Sequence, residues 1–226
     1  FVIEDASHAL GAKYKNSKIG SCKYSDITVF SFHPVKIITT GEGGMMTTNN
    51  FNFYKKMQML RSHGITNNYK YFKNNNSNKW YFEQQYLGFN YRMNDLEAAL
   101  GISQLKNINK NLISRRHLAK RYFNYLTKKV EKISLNSFVE SSYHLFPILI
   151  NKEVAGIDRD NFFKFLYKKG IRCQIHYIPI FKHPYHRINL KKQKKLFPNS
   201  LKFYNSVISL PMYYGLSDAD QNYIIN

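Results

Sequence analysis

Two short apolar runs near the start of the chain each end in polar side chains. Phe1–Ile3 leads directly into Glu4 and Asp5, and Ile27–Phe32 leads into a proline turn followed by a single lysine, Lys36. Short apolar runs that stop at polar and turn residues are typical of buried β-strands. We therefore expect strands that carry reactive side chains at their ends, and this constrains the fold more than any other feature.

Apolar residues at helical spacing predict the helices. They lie at Phe51–Arg61, from Asn94 through Leu112, from about Ser114 to Lys129 and at Asp158–Lys168. Further strands are predicted at Tyr143–Ile150 and Ile171–Ile178. Residues 67–82 are rich in asparagine and aromatic side chains and lack a period, so we expect them to form an exposed loop.

Basic residues greatly outnumber acidic ones. The chain has 34 lysines and arginines against 14 acidic residues, which gives a net charge of +20. Such a charge attracts nucleic acids, and it attracts a phosphorylated cofactor or a nucleotide-linked substrate equally well. Because lysine and asparagine are abundant along the whole chain, a general compositional bias explains the charge better than a dedicated binding surface does. A nucleic acid is therefore not expected as the partner of this protein.

Membrane and metal partners are not expected either. No run is apolar enough to span a bilayer, and the two cysteines, Cys22 and Cys173, lack the spacing of metal ligands or of a redox pair. Ordinary thiols indicate a reducing compartment, so we expect a cytoplasmic protein. The chain begins inside an apolar run without an initiator methionine, which predicts a fragment of a longer protein.

Lys36 is the first candidate for chemistry. The strand before it ends near the hydroxyl of Ser31, a proline turn follows, and a glycine-rich segment from Gly41 to Gly44 comes shortly afterwards. Glycines allow the main chain to approach a ligand closely. A surface lysine in an ordinary turn would show the same pattern, so this motif by itself leaves both interpretations open.

Asp5 adds a second group at the end of the first strand. A carboxylate at a strand end, followed along the chain by a strand-end lysine, suits a cofactor with a pyridinium ring. The carboxylate stabilises the protonated ring nitrogen, and the lysine forms an imine. The spacing also suits an aspartate that caps a helix at Ala6–Leu10, and spacing alone does not exclude this alternative.

Both stretches resemble the DegT/DnrJ/EryC1/StrS family of sugar aminotransferases that depend on pyridoxal 5'-phosphate (PLP). The resemblance continues, in the expected order, through Arg61–Thr66, Tyr86–Asp95, Ala98–Gly101, Tyr143–Phe146, Ile175–Pro179 and Ser209–Pro211. It therefore covers nearly the whole chain. The segment that ends at Lys36 most resembles the members that serve pseudaminic acid biosynthesis.

The resemblance implies an α/β fold of the type I PLP-dependent transferases, like that of aspartate aminotransferase. Residues 1–120 would form the C-terminal part of the PLP-binding large domain, with a mainly parallel sheet. Residues 121–226 would form the small α+β domain. The N-terminal part of the large domain is missing relative to the family, so we expect an N-terminally truncated chain. The family also implies a homodimer.

The resemblance assigns roles around the cofactor. It implies that Lys36 holds PLP as a Schiff base and later moves a proton, that Asp5 pairs with the pyridine nitrogen, and that His8 lies near the ring. Ser31 would bind the cofactor phosphate, and Asn90 would bind it from the partner subunit. The alternatives are a helix histidine at His8 and an ordinary turn residue at Asn90.

The resemblance places His176, Tyr177 and Ile178 close to a nucleotide-sugar substrate, although they would equally suit an ordinary strand. Lysine at position 36, where the dehydratases of the family have histidine, implies transamination. The implied reaction moves an amino group from an amino acid, with glutamate as the expected donor, to C4 of a nucleotide-linked 4-keto-6-deoxy sugar. The alternatives are a related keto sugar as substrate, a non-catalytic truncated remnant, and a basic nucleic-acid-binding protein.

Overall fold

A computed structural model describes residues 1–76, 78–186 and 197–226. These residues divide into two units. The first unit contains Phe1–Asn109 and Phe138–Glu140, and the second contains Lys110–Ser137 and Ser141–Asn226. Each unit has its own cluster of buried apolar side chains. The domain boundary expected at residue 120 stays a prediction.

The strands and helices are short and are numbered in chain order. The strands are β1 (Ile3–Asp5), β2 (Lys13–Tyr14), β3 (Ser17–Lys18), β4 (Ile27–Ser31), β5 (Gly44–Thr47), β6 (Ile65–Thr66), β7 (Glu83–Gln84), β8 (Val130–Lys132), β9 (Val139–Glu140), β10 (Phe146–Ile150) and β11 (Val207–Leu210). The helices are α1 (Phe51–Leu60), α2 (Asp95–Lys106), α3 (Ile108–Tyr125), α4 (Lys152–Ala155), α5 (Arg159–Lys168), α6 (Pro198–Ser206) and α7 (Asp218–Ile225). Short 3-10 turns lie at Tyr69–Tyr71 and Ile180–Lys182.

In the first unit, β4 is the middle strand of a three-stranded sheet with the order β1–β4–β5. β1 runs parallel to β4, with Asp5 opposite Val29, and β5 runs antiparallel to it, with Gly44 opposite Ser31. Residues of β4 alternate between half-buried and buried positions, and Phe30 packs in the apolar cluster of the unit. Asp5 and Ser31 therefore lie at the same end of two neighbouring parallel strands.

β1 is more exposed than the sequence predicted. We expected a buried strand ending at Phe1–Ile3, but the strand runs from Ile3 to Asp5, and Ile3 is 66% exposed. Within the described parts of the chain, β1 pairs only with β4, so one of its edges has no backbone partner. An apolar pattern predicts a strand but does not show which neighbours will cover it.

The second helix of the first unit begins where the sequence predicted. Oδ1 of Asn94 accepts the backbone N–H of Glu97 at 2.9 Å, and Oε2 of Glu97 accepts the backbone N–H of Asn94 at 3.0 Å. This reciprocal capping box satisfies two N–H groups that the helix itself cannot bond. The helix predicted to continue through Leu112 is instead broken at Asn107, where α2 ends and α3 begins.

The second unit is built on an antiparallel sheet with the order β11–β10–β8, in which Phe146 lies opposite Leu210. Helix α3 buries Leu118 and Tyr122 among the apolar side chains of this sheet. The hydroxyl of Tyr122 donates to the carbonyl oxygen of Pro211 at 2.8 Å, so this deeply buried phenol keeps a hydrogen-bond partner.

The strand predicted at Ile171–Ile178 is wrong. The segment forms only a single bridge, in which Gln174 and Ser209 exchange two backbone hydrogen bonds of 3.2 and 2.8 Å. Shortly after this bridge, Pro179 leads into a 3-10 turn, and a proline cannot donate to a strand ladder. Over the residues that the structure describes, no helix is long and apolar enough to cross a membrane.

Candidate active site

Asp5 ends β1, and Ser7 holds its carboxylate. Oδ1 of Asp5 accepts the hydroxyl of Ser7 at 2.6 Å and the backbone N–H of Ser7 at 3.0 Å. These hydrogen bonds lower the pKa of Asp5, and the positive charges of His8 and Lys36 lower it further. Asp5 is therefore a fixed carboxylate that is ionised at neutral pH.

The residues that follow Asp5 form turns, not the helix that the sequence allowed at Ala6–Leu10. The backbone N–H of Ala6 bonds to the carbonyl oxygen of Val29 at 2.8 Å, which extends the pairing of β1 with β4 by one residue. Asp5 is thus not a helix cap, and His8 is not a helix histidine.

Lys36 lies in a turn shortly after β4. The backbone N–H of Lys36 donates to the carbonyl oxygen of His33 at 2.9 Å. The next two residues, Ile37 and Ile38, are each only 4% exposed. They anchor the turn in the unit and leave the lysine side chain half-buried.

The glycines after Lys36 allow close packing within the protein itself. A Cβ on Gly44 would lie 2.6 Å from the carbonyl oxygen of Phe30 on β4. Gly43 has a φ of +144°, and a Cβ there would lie 2.5 Å from the hydroxyl oxygen of Thr40. Both positions therefore require glycine for packing, which the sequence did not distinguish from close approach to a ligand.

Lys36 and Asp5 influence each other's charge. Burial lowers the pKa of Lys36, and the carboxylate of Asp5 opposes this by raising it. Their placement agrees with this mutual effect, because Asp5 ends β1, which pairs with β4, and Lys36 lies in the turn that follows β4. A lysine with a lowered pKa has a larger neutral fraction at neutral pH, and the neutral amine is the form that attacks a carbonyl carbon.

Ser31 and His8 lie near the same end of the β1–β4 pair. Oγ of Ser31 accepts the backbone N–H of His33 at 3.4 Å, a long bond that leaves the hydroxyl hydrogen able to donate. His8 is half-buried, and its charge acts on Asp5. The structure thus brings Asp5, His8 and Lys36 together beside Ser31, while their roles toward a cofactor stay predictions.

Asn90 is exposed and belongs to the first unit. Its backbone forms a bridge with Ser62, and the residues on either side of it bond to the C-terminal end of α1. Among the described residues, no hydrogen bond joins its side chain to Asp5 or Lys36. The structure fixes the backbone of Asn90 and leaves its side chain facing solvent, so its predicted role remains untested.

His176, Tyr177 and Ile178 belong to the second unit. Nδ1 of His176 lies 2.9 Å from Oγ of Ser209 on β11, and its ring meets that of Tyr177 edge to face at 4.7 Å. Tyr177 and Ile178 are 64% and 47% exposed. None of the three lies in a strand, and their closeness to a substrate stays a prediction.

Ser7, which fixes the carboxylate of Asp5, was not among the residues predicted from the sequence. An aspartate followed two residues later by serine is typical of a turn in which the carboxylate bonds the backbone two residues on, so a signal was present. No group of three or more histidine, cysteine, aspartate or glutamate side chains that could hold a metal ion occurs in the described ranges.

The whole chain, residues 1–226, matches the DegT/DnrJ/EryC1/StrS aminotransferase family. A protein from Campylobacter jejuni, a UDP-4-amino-4,6-dideoxy-N-acetyl-beta-L-altrosamine transaminase, is 36% identical over 229 residues. The match covers 99% of this chain and 56% of the Campylobacter protein.

Solved structures share the fold. An aminotransferase of pseudoaminic acid biosynthesis from Helicobacter pylori is similar with a TM-score of 0.86 and 31% identity, over 99% of this chain and 57% of the other. A protein from Streptococcus pneumoniae, assigned as a sugar aminotransferase and solved in a PLP form, gives a TM-score of 0.85 and 30% identity, over 99% and 55%. The chain thus spans little more than half the length of these proteins, and the likeness confirms the predicted α/β fold class.

Proposed function

Because the chain belongs to the DegT/DnrJ/EryC1/StrS aminotransferase family, we propose that it forms the PLP-binding part of a sugar aminotransferase. The reaction moves an amino group from an amino acid, with glutamate as the expected donor, to C4 of a nucleotide-linked 4-keto-6-deoxy sugar in pseudaminic acid biosynthesis. The observation that carries this proposal is the placement of the Asp5 carboxylate at the end of β1, beside β4, with a half-buried Lys36 in the turn that follows β4. The names of the Campylobacter and Helicobacter proteins support the choice of sugar.

The side chains at this end of the sheet fit PLP. When bound, PLP supplies a protonated pyridine ring that withdraws electrons from a substrate carbon. A protonated ring nitrogen needs an ionised partner, and the hydrogen bonds from Ser7 keep Asp5 ionised and in one orientation. The hydroxyl of Ser31 can donate to the phosphate, because its oxygen already serves as the acceptor for His33.

Nζ of Lys36 has two tasks in this proposal. As a neutral amine it would hold the cofactor, and burial raises the neutral fraction by lowering the pKa of Lys36. Released from that bond, Nζ takes up a proton and returns it to a neighbouring carbon. The negative charge of Asp5 raises the pKa of Lys36, which favours the step in which Nζ holds the proton.

The proposal includes a dimer in which Asn90 serves the site of the partner. Asn90 is exposed, and it has no hydrogen bond to Lys36 of its own chain among the described residues. Helix α2 follows a few residues later and exposes apolar side chains, with Leu96 85%, Ile102 59% and Leu105 51% exposed. Apolar residues gathered on one exposed element indicate an interaction surface.

Co-expression of two variants tests this dimer. A Lys36→Ala homodimer lacks the lysine in both sites, and an Asn90→Ala homodimer lacks the amide in both. A mixed dimer would contain one site with both residues, so random pairing should restore PLP binding to about a quarter of the sites. The readout is PLP retained after gel filtration, and an absence of recovery would show that Asn90 does not serve the partner.

Borohydride trapping tests the cofactor site itself. The purified chain is incubated with PLP and reduced, and the modified peptide is mapped by mass spectrometry. We expect a phosphopyridoxyl tag on Lys36 that is lost in Lys36→Ala and kept in Lys56→Ala, which changes an exposed lysine on α1. No tag, or tags scattered over many lysines, would overturn the proposal and agree with a non-catalytic remnant.

The amino transfer needs its own assay. Glutamate labelled with 15N is supplied together with a UDP-linked 4-keto-6-deoxy sugar, and the product is analysed for a 15N amine at C4 by NMR. Label at C4 in the wild type and not in Lys36→Ala is the expected result. Trapping on Lys36 without any labelled product would leave the PLP site standing and reject this sugar as the substrate.

A further inference from the structure

The asparagine-rich loop, described at residues 67–76 and 78–82, lines an open cleft of about 640 Å³. The cleft is lined by three aromatic rings, Tyr69, Phe72 and Tyr81, by two lysines, Lys73 and Lys79, and by several asparagine side chains. This combination of ring faces, ammonium groups and amides is concentrated in one short segment. It lies in the first unit, and none of the residues to which the proposed function gives a role lies in it.

A buried carboxylate holds this loop in shape. Glu83, on β7, is only 7% exposed and accepts the backbone N–H groups of Lys73 at 2.7 Å and Asn74 at 2.8 Å. It also accepts the hydroxyl of Tyr81 at 3.3 Å and the side-chain amide of Gln85 at 3.2 Å. With its acceptor positions used by these four donors, Glu83 fixes both sides of the cleft.

The two lysines are available to an anion. Lys73 and Lys79 form no ion pair within the described ranges, and the carboxylate nearest in sequence, Glu83, is occupied by backbone donors. Both lysines are exposed. Two ammonium groups at one cleft favour a ligand with at least two negative charges, because hydrogen bonds between charged groups are stronger than those between neutral ones.

The aromatic side chains are available to a planar group. Phe72 and Tyr81 meet edge to face at 5.0 Å, which holds both rings in place. Tyr69 is 71% exposed at the edge of the cleft. Exposed aromatic rings bind nucleobases by stacking, which requires no particular base because every base has a π-face.

The amides complete the lining. The side chain of Asn74 donates to the hydroxyl of Tyr81 at 3.2 Å, whereas those of Asn67 and Asn75 make no side-chain hydrogen bond in the part of the chain that the structure describes. Each amide offers two donors and an acceptor, which suits the edge of a base or the hydroxyls of a ribose.

We propose that this cleft binds a nucleoside diphosphate, with the base on the aromatic rings, the ribose on the asparagine amides and the diphosphate on Lys73 and Lys79. A neutral glycan would make no ion pair with the two ammonium groups, and inorganic phosphate would not contact the aromatic rings. The nucleotide is either the carrier part of the sugar substrate or a free nucleotide, which share this chemistry. The first source rests on the proposed function, and the second does not.

Titration with UDP tests the cleft. Trp80, the one tryptophan of the sequence, adjoins Tyr81 at a ring distance of 6.0 Å and reports on the loop by its fluorescence. We expect UDP to change this fluorescence and to bind in calorimetry. Lys73→Gln and Lys79→Gln should each weaken UDP binding roughly tenfold, because each removes a charge-assisted hydrogen bond. Uridine, which lacks phosphate, should bind weakly and respond to neither substitution.

Lys70→Gln is the matched control. Lys70 is exposed in the same loop but does not line the cleft, so its substitution removes the same charge without touching the proposed site. We expect UDP affinity to stay within twofold of the wild type in this variant. Equal losses in Lys70→Gln and Lys79→Gln would mean that UDP follows the net charge of +20, and such a result, or no binding at all, would overturn the proposal.

Two further measurements distinguish the nucleotide part of the substrate from a free nucleotide, and the proposal for the cleft from the proposed function. If the cleft binds the nucleotide part of the substrate, Lys79→Gln raises the KM for the sugar nucleotide and leaves kcat unchanged. If the cleft binds a free nucleotide instead, Lys79→Gln weakens UDP binding while the KM for the sugar nucleotide stays constant. Borohydride trapping on Lys36 is read in the same variants. If Lys36 is trapped but UDP does not bind specifically, only the proposal for the cleft is rejected. If UDP binds specifically but Lys36 is not trapped, only the proposed function is rejected.

Discussion

Gly64 lies where β6 and β7 meet the backbone that holds Asn90, and replacing it by alanine should disturb this region severely. Gly64 has a φ of +71°, and a Cβ there would lie 2.6 Å from the carbonyl carbon of Tyr86 and closer still to its oxygen. Its N–H donates to the carbonyl oxygen of Met59 at 2.8 Å, and its own carbonyl oxygen accepts from Gln85 at 2.8 Å. Backbone on both sides prevents either segment from rotating away.

The expected loss of stability combines three effects. A non-glycine residue in the left-handed region costs about 1–2 kcal/mol. Forcing apart backbone atoms that an added carbon would overlap costs about 1–3 kcal/mol. Weakening a hydrogen bond on each side of Gly64 costs about 1 kcal/mol. We therefore expect Gly64→Ala to lower the free energy of unfolding by about 3–6 kcal/mol.

Gly41→Ala is the control, because Gly41 has a φ of +85° but no atom within 4 Å of an added Cβ. It should lose only the conformational part, about 1–2 kcal/mol. Urea denaturation followed by circular dichroism measures both variants against the wild type. If the two losses agree within about 0.5 kcal/mol, which is near the scatter of such comparisons, the overlap with Tyr86 does not decide the stability of this region and the argument is refuted.

Three further predictions concern the second unit, the site and the thiols. Arg115→Leu should lower the free energy of unfolding by about 3 kcal/mol in urea denaturation, because the buried guanidinium donates to three main-chain carbonyl oxygens that would lose their partner. Asp5→Asn should move the pH midpoint of Lys36 modification by an amine reagent to lower pH. Burial lowers the pKa of Lys36 below 10.5, and the negative charge of Asp5 partly opposes this effect. Without that charge the pKa falls further, so the neutral amine that reacts becomes abundant at a lower pH. Iodoacetamide should modify Cys22 well before Cys173 in peptide mapping of the folded protein. Burial raises the pKa of the Cys173 thiol to about 12, whereas hydrogen bonds from threonine and serine side chains outweigh burial and lower the pKa of Cys22.

Each of these three has an outcome that contradicts it. Lys120→Leu, on the exposed side of the same helix, should change the free energy of unfolding by less than about 0.5 kcal/mol. A change of similar size in Arg115→Leu would contradict the first prediction. An unchanged or higher midpoint in Asp5→Asn would show that the two charges do not interact. Equal rates of modification for Cys22 and Cys173 would show that burial does not protect the second thiol.

Much of the local structure could be predicted because its causes lie within a few residues. The start of α2 depends on Asn94 and Glu97, three positions apart, and the turn that presents Lys36 follows directly from β4. Ordered motifs along the chain also predicted the family, which the match over residues 1–226 confirms.

Other features could not be predicted because their causes are distant in the sequence. The exposure of Ile3 depends on which strands lie beside β1, and the failed strand at Ile171–Ile178 depends on the single bridge to Ser209. Glu83 is one acidic residue beside a basic loop, and nothing near it in the sequence shows that it would be buried and bond to Lys73 and Asn74.

By itself, the sequence determined which residue types stand at the strand ends, and therefore that Asp5 and Lys36 are the candidates for chemistry. Only the tertiary structure decided that β1 and β4 lie side by side, that Ser7 fixes the carboxylate of Asp5 and that burial lowers the pKa of Lys36. The physical reason is the separation along the sequence of the residues that interact. Turns and caps depend on hydrogen bonds between near neighbours in the chain, whereas burial and Coulomb interactions depend on residues that folding brings together.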